Sequence, residues 1–313
     1  MHTKYVIVGG GAIGSVLSAY MTKAGKDVTL ITRGTHLKAI HDQGGLELYY
    51  APEDKQFLVP VKAVTAEEYD EQPDVVILTV KAYSLESIYP LLDRICTATT
   101  VVLPVINALD IGAHIERGLT AKPVLAQGEA YVACELVAPG RCKHKLDFFR
   151  IVFGPRADQP VFELAEAIKG DLIDSGCTAE INHDMLQAAL MKFCRVSAIS
   201  GAMAYFNAQF GEINSDPEKT EFMVGLCKEL IALGEASGHP FPPEFDAVHD
   251  MLNVPNVPKD YRTSFMYDYL AGRQTEWRTM FQDPYLMGRR FGLEMPNYGK
   301  VCGVFDPEVA IVA

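Results

Sequence analysis

An apolar run at residues 5–8 leads straight into Gly9-x-Gly11-x-x-Gly14, and a helical pattern of apolar positions follows over residues 15–23. No other feature of the chain restricts its fold as strongly. A strand, a glycine turn and a helix in this order open an α/β unit whose helix N-terminus turns free backbone N–H groups toward an anion. The first glycine permits the tight turn, the second lets the backbone approach a phosphate, and the third lets the helix pack closely on the strand. Glycine-rich turns are common as plain connections. The flanking strand and helix are what make Gly9, Gly10, Gly11, Ala12, Ile13 and Gly14 a candidate cradle for a dinucleotide pyrophosphate.

Alternating strands and helices continue through the first half. Residues 28–31 form a second buried strand that closes a βαβ unit, and residues 46–50 and 57–64 form a two-stranded excursion around the polar turn at 52–55. Residues 75–80 and 100–106 are continuous apolar runs, which suit a parallel sheet covered on both faces by helices. Residues 148–153 and 177–181 read as strands at the far edge of that sheet. The pattern changes near Asn182, where Asn182 or His183 can cap a long helix running from Asp184 toward Tyr205. Residues 218–237 and 244–252 are also helical in period, and strand-like runs cease. The expected fold class is therefore α/β: a Rossmann-type nucleotide-binding domain over 1–181, then an all-helical domain over 182–313, broken by a surface loop at 253–258.

A length of 313 residues accommodates two such domains. The chain is 49% hydrophobic and 22% charged, a globular composition. Its net charge of −12 argues against nucleic acid or an anionic membrane as partner, although a local pocket can still attract an anionic substrate. No apolar stretch approaches bilayer length, and no basic, cleavable leader precedes the first strand. The seven cysteines are scattered without CxxC spacing, so reduced thiols in a cytoplasmic protein are expected rather than disulfides or a zinc site. No HExxH or comparable spacing points to a metal, and no Ser/His/Asp constellation is recognisable.

The second strand distinguishes between dinucleotides. Folds that bind NAD place a carboxylate there for the ribose 2′-hydroxyl, but this chain has Thr32-Arg33-Gly34 and no acid. Arg33 can clasp a 2′-phosphate with its planar fork, with His36 and Lys38 nearby for support, or it can be an ordinary solvated arginine. The missing acid favours NADP over NAD. It also counts against a flavin, whose adenosine ribose generally wants a carboxylate at the same place.

Several residues can carry chemistry. Lys81 follows the apolar strand 75–80, at the carboxyl edge where ligands bind in parallel sheets; a lysine marking the strand's exit is the plainer alternative. Asn107 closes the next strand and can hold a carboxamide or a carbonyl, or simply serve a turn. Lys192 lies in a helix that is apolar nearly all round, so it must snorkel, pair with an acid or face a cavity. Burial lowers a lysine's pKa, and such a lysine is a competent general acid near neutrality. Ser264 and Glu276 sit in a polar helical stretch broken at Gly272, where both can simply be solvated.

Taken in order, these residues resemble the 2-dehydropantoate 2-reductases, or ketopantoate reductases. The resemblance runs nearly end to end: the glycine loop with Arg33, Leu37-Lys38-Ala39-Ile40 before Gly45-Leu46, Val80-Lys81-Ala82, Asn107, Lys192, Ser264-x-Met266-x-x-Asp268, and Gly272-Arg273-x-Thr275-Glu276. It implies NADPH-dependent reduction of a 2-oxo acid to a 2-hydroxy acid, with ketopantoate as the leading acceptor and the site in a cleft between the domains. Lys192 would then be the general acid, and Glu276 a catalytic partner beside the nicotinamide. Lys81 and Asn107 would serve the nicotinamide end, and Asn107, Ser200 and Ser264 the substrate. A homodimer is plausible on the apolar helical domain.

Some positions depart from that pattern. The strand-ending asparagine is followed by Ala108 where glycine is usual. Val196 and Ser200 stand where substrate-binding asparagines are expected, four and eight residues after Lys192. A polar group left unpaired in a closed site weakens binding, so these changes should alter specificity. Two alternatives follow: reduction of a different 2-oxo acid, or a non-catalytic NADP-binding sensor.

Overall fold

The apolar runs at 5–8, 28–31 and 75–78 become adjacent parallel strands in the computed structural model, which describes residues 3–156, 159–254 and 258–310. The strands are β1 (Lys4–Val8), β2 (Asp27–Ile31), β3 (Leu46–Tyr50), β4 (Lys55–Val59), β5 (Lys62–Val64), β6 (Val75–Leu78), β7 (Val101–Pro104), β8 (Val124–Ala138), β9 (Arg141–Pro155) and β10 (Thr178–Ile181). Among the described residues they form one sheet in the order β4-β3-β9-β8-β7-β6-β1-β2-β5, with β10 pairing β9. The centre, from β7 to β5, is parallel, as the doubly apolar runs predict.

The flank is mixed, with β8–β9 and β3–β4 antiparallel but β3–β9 and β9–β10 parallel, and here the structure departs from expectation. Residues 148–153 are not a separate edge strand. They belong to β9, which lies inside the sheet and pairs with the long β8 over residues 126–155. The apolar run of β8 is short, residues 130–134, because Gln127, Glu129 and Glu135 interrupt the strand on either side. Bulges between Val132 and Cys134 and between Leu136 and Ala138 break its alternation. The run at 57–64 also divides. Pro60 cannot donate to a ladder, and Val61 N–H bonds Val59 O at 2.7 Å. β4 therefore pairs antiparallel with β3, while β5 crosses to β2.

Helices α1 (Ala12–Lys23), α2 (Gly34–Gln43), α3 (Leu85–Ile95), α4 (Ile111–Gly118) and α5 (Ala165–Asp174) accompany the sheet. Helix α1 starts at Ala12, three residues before its apolar period begins, because Gly11 is its N-cap. The core beneath joins Tyr5, Ile7, Leu17, Leu30, Ile77, Leu103, Ile151 and Phe153.

A second unit is helical: α6 (Met185–Phe206), α7 (Phe210–Ser215), α8 (Pro217–Ser237), α9 (Ala247–Leu252), α10 (Ser264–Leu270), a π-helical segment Arg278–Gln282, α11 (Asp283–Arg290), α12 (Pro296–Phe305) and α13 (Pro307–Ala310). Helix α9 starts at Ala247 rather than at 244 because the Asp246 carboxylate caps it by accepting from His249 N–H. The middle of the expected surface loop, residues 255–257, lies outside the described residues. The second unit's core includes Phe193, Ile199, Met203, Leu226, Leu230, Phe281, Tyr285 and Tyr298.

By packing, the units meet in sequence between Met185 and Leu186, and Asn107–Leu109 belong with the helical unit despite lying early in the chain. No helix among the described residues is long and apolar enough to cross a membrane. All seven cysteines are free thiols, five of them buried, and no metal-suited cluster of three or more His, Cys, Asp or Glu occurs among the described residues.

Candidate functional site

In the sheet unit, sterics explain each glycine of the loop. Gly9 has φ +119°, and a Cβ there would lie 2.9 Å from the Thr79 carbonyl carbon. A Cβ on Gly14 would lie 2.0 Å from Gly9 O and 2.4 Å from Thr79 Oγ1, so only glycine lets α1 press onto the strand ends. Gly10 is pinched in the same way, its Cβ position 2.2 Å from Thr32 Oγ1. Gly11 differs: nothing lies within 4 Å of a Cβ placed on it. The loop is closed behind and open in front of Gly11, beside the N-terminal turn formed by Ala12 and Ile13. Thr79, which the sequence reading passed over, donates its hydroxyl to Gly9 O at 2.8 Å and braces the turn. A hydroxyl at the carboxyl end of β6 was the available signal.

At the end of β2, Arg33 is exposed, caps α2 through its backbone and has no ion-pair partner among the described residues. The expected support from its neighbours takes another form. His36 is 7% exposed and turned inward, its Nδ1 accepting from Gly140 N–H at 2.9 Å and its Nε2 3.1 Å from Ser15 Oγ. Burial lowers its pKa, so it is a neutral internal ring and not a second cation beside Arg33. Lys38 is exposed and engages Asp42 one turn along α2, at 2.5 Å. Lys81 follows β6, half-buried, and its carbonyl accepts from Ser84 N–H at 2.8 Å in a short 3-10 turn.

The helical unit collects the other predicted residues. Lys192, only 9% exposed on α6, donates from Nζ to Asn107 Oδ1 at 2.8 Å. An ammonium can only donate, so the amide oxygen faces it and the Asn107 NH2 points elsewhere as a donor. One turn on, Val196 is half-buried against the core. Ser200 is 1% exposed: its hydroxyl bonds the Val196 carbonyl at 2.6 Å and lies 2.9 Å from Thr263 Oγ1. Both bonds are internal, so the Ser200 hydroxyl is not presented outward. Thr263 also caps α10, accepting from Met266 N–H, which leaves Ser264 exposed at that helix's first position. A threonine just ahead of an amphipathic stretch was legible as a cap and went unread.

Glu276 is 8% exposed and non-helical, separated by Trp277 from the π-helical segment that starts at Arg278. Its carbonyl accepts from Met280 N–H at 2.9 Å and from Thr279 Oγ1 at 3.2 Å. Ser197 of α6 donates to Met280 O at 2.7 Å and lies 2.8 Å from the buried Tyr298 hydroxyl. Phe265 of α10 meets Phe281 edge-on at 4.9 Å, and Phe305 stacks on both Trp277 and Phe281. These contacts hold the segment after Glu276 against α6, α10 and α12.

Known proteins share this two-part fold. Residues 5–158 match the family model described as ketopantoate reductase PanE/ApbA, and residues 184–307 match the C-terminal model of the same family. A 2-dehydropantoate 2-reductase of Nostoc is 25% identical over 299 residues, covering 94% of this chain and 91% of that protein. The crystal structure of 2-dehydropantoate 2-reductase from Geobacter metallireducens superposes with a TM-score of 0.86 at 23% identity, covering 97% of this chain and 99% of that one. The ternary structure of D-mandelate dehydrogenase with NADH and anilino(oxo)acetate superposes at 0.85 with 19% identity, covering 99% of each chain.

Proposed function

The chain belongs to the ketopantoate reductase family, and on that premise we propose that it reduces a 2-oxo acid with NADPH, Lys192 acting as the general acid. It is an NADP-dependent oxidoreductase acting on a CH–OH group. The observation that carries the finer reading is the buried Lys192 on α6, whose Nζ donates to Asn107 Oδ1 at 2.8 Å.

The residues of the sheet unit fit the cofactor. The open face at Gly11 accommodates a pyrophosphate, and Arg33, exposed and without an acid partner among the described residues, suits a 2′-phosphate. When bound, NADPH supplies hydride to the carbonyl carbon of the acceptor. Charge then develops on the carbonyl oxygen. Lys192 stabilises that charge and delivers a proton from Nζ. The Asn107 NH2 and the exposed Ser264 hydroxyl offer hydrogen bonds to the acceptor, and Glu276 is held on a rigid segment to orient the reacting groups. Ser200 contributes through Thr263 and not by direct contact, since its hydroxyl is already engaged.

The acceptor lies within the 2-oxo acids, with ketopantoate, named in the relatives above, as the first to assay. The test is NADPH oxidation over a panel of 2-oxo acids with hydroxylated, aliphatic and aromatic substituents. Turnover with at least one is expected. Tight NADPH binding with no turnover on any would instead identify a cofactor-binding sensor.

A further inference from the structure

We propose that His36 is a positioning residue for the cofactor: through Ser15 it holds the Gly10 carbonyl and thereby aims the Gly11 N–H at the pyrophosphate. The proposal rests on the reading that the glycine loop takes NADPH.

The hydrogen bonds run in one direction. Gly140 N–H can only donate, so His36 Nδ1, 2.9 Å away, must be the accepting nitrogen. A neutral imidazole then carries its proton on Nε2, which donates to Ser15 Oγ at 3.1 Å. Ser15, with its oxygen accepting from the ring, directs its own hydrogen to Gly10 O at 3.3 Å. The lowered pKa that burial imposes on His36 is consistent with this neutral tautomer.

Both ends of the relay matter. At one end, Gly140 occupies the turn between β8 and β9 with φ +73°, and its carbonyl accepts from Gln43 Nε2 at 2.7 Å and Glu47 N–H at 2.9 Å. The turn is thus tied to both α2 and β3, and His36 draws on a rigid anchor. At the other end, the Gly10–Gly11 peptide is planar and trans, so its C=O and N–H point in opposite directions. Fixing the carbonyl toward Ser15 sends the Gly11 N–H the opposite way. The His36 ring also packs on the loop itself: a Cβ on Gly10 would lie 3.0 Å from His36 Cδ2. A flexible glycine loop gains its orientation from a side chain 26 residues away, on the same helix that carries Arg33 at its cap.

The test compares NADPH dissociation constants, by fluorescence titration, in the wild type and in Ser15→Ala, His36→Asn and His36→Gln, alongside kcat at saturating NADPH. Asparagine places an acceptor near the Nδ1 position and glutamine a donor near the Nε2 position. Ser15→Ala and His36→Asn should each weaken NADPH binding by about fivefold or more, the weight of one hydrogen bond. His36→Gln should restore much of the loss, the double variant Ser15→Ala with His36→Asn should be no worse than Ser15→Ala alone, and kcat should stay within about twofold throughout. Tight wild-type binding left unchanged by Ser15→Ala and His36→Asn overturns the relay while leaving the cofactor reading intact. Absence of NADPH binding by the wild type overturns both. Ser15→Ala removes a single oxygen from a helix that otherwise keeps its packing, so the outcome does not depend on how well the His36 variants fold.

Discussion

The glycine loop and the Lys192 region solve opposite problems. The loop presents backbone, and its residues matter for what they lack: Gly9, Gly10 and Gly14 stand where any Cβ would collide, and Gly11 faces open space. The region around α6 works with side chains, and each is held by a partner far away in sequence, as Lys192 is by Asn107 and Ser200 by Thr263. Backbone recognition is local and generic, suited to a shared cofactor. Side-chain recognition is assembled from distant segments, and α6 is an intact helix with Val196 and Ser200 at the positions where asparagines are expected.

The sharpest way to break this division is Lys192→Ala. Turnover should fall by about 10²–10⁴-fold while the NADPH dissociation constant stays within about twofold. Near-normal turnover would remove the general-acid role. Next comes Arg33→Ala, which acts on the loop side only. NADPH affinity should drop by about tenfold or more and NADH affinity hardly at all, with the acceptor KM unchanged. Equal affinity of the wild type for the two cofactors would sink the 2′-phosphate role.

A smaller effect is expected at Val196. Val196→Asn offers a hydrogen bond one turn beyond Lys192, and should raise kcat/KM for a hydroxylated 2-oxo acid over an aliphatic one by about fivefold. An unchanged ratio would mean that this turn of α6 does not meet the acceptor.

The weakest expected effect concerns stability of the sheet unit alone. Glu71, bridged by Lys4 and Lys62, has its carboxyl pKa held down to about 2. A depressed folded pKa stabilises above the ordinary carboxylate value, and that contribution disappears as pH falls toward about 2. The pair is partly solvent-exposed, so the effect is small. Thermal melts between pH 5 and 2 should show a slightly shallower acid loss in Glu71→Gln than in the wild type. Parallel curves would assign no linkage to this site.

Legibility followed the same division. The central parallel strands, the glycine loop and the long helix α6 were readable because each is a continuous run whose period or steric rule acts within a few residues. The β8–β9 ribbon was not. Its polar residues and two bulges hide the alternation, and its stability comes from pairing across the sheet. At the site, Lys192 and Glu276 stood out as charges in apolar or broken helical context, Thr263 and Ser197 did not, and His36 was expected beside Arg33 instead. The partners that give them their places, Ser200, Met280 and Gly140, lie 63, 83 and 104 positions away.

By itself the sequence determined that a strand, a glycine turn and a helix follow one another at residues 4–23, that no acid closes the second strand, and that one lysine lies in a mostly apolar helix. These are statements about local sterics and charge, which a linear string carries in full. Only the tertiary structure decided that Asn107 packs with the helical unit and faces Lys192, that the Ser200 hydroxyl turns inward, and that the His36 ring is buried between Gly140 and Ser15. Hydrogen bonding and burial are properties of neighbours in space, and folding alone chooses those neighbours.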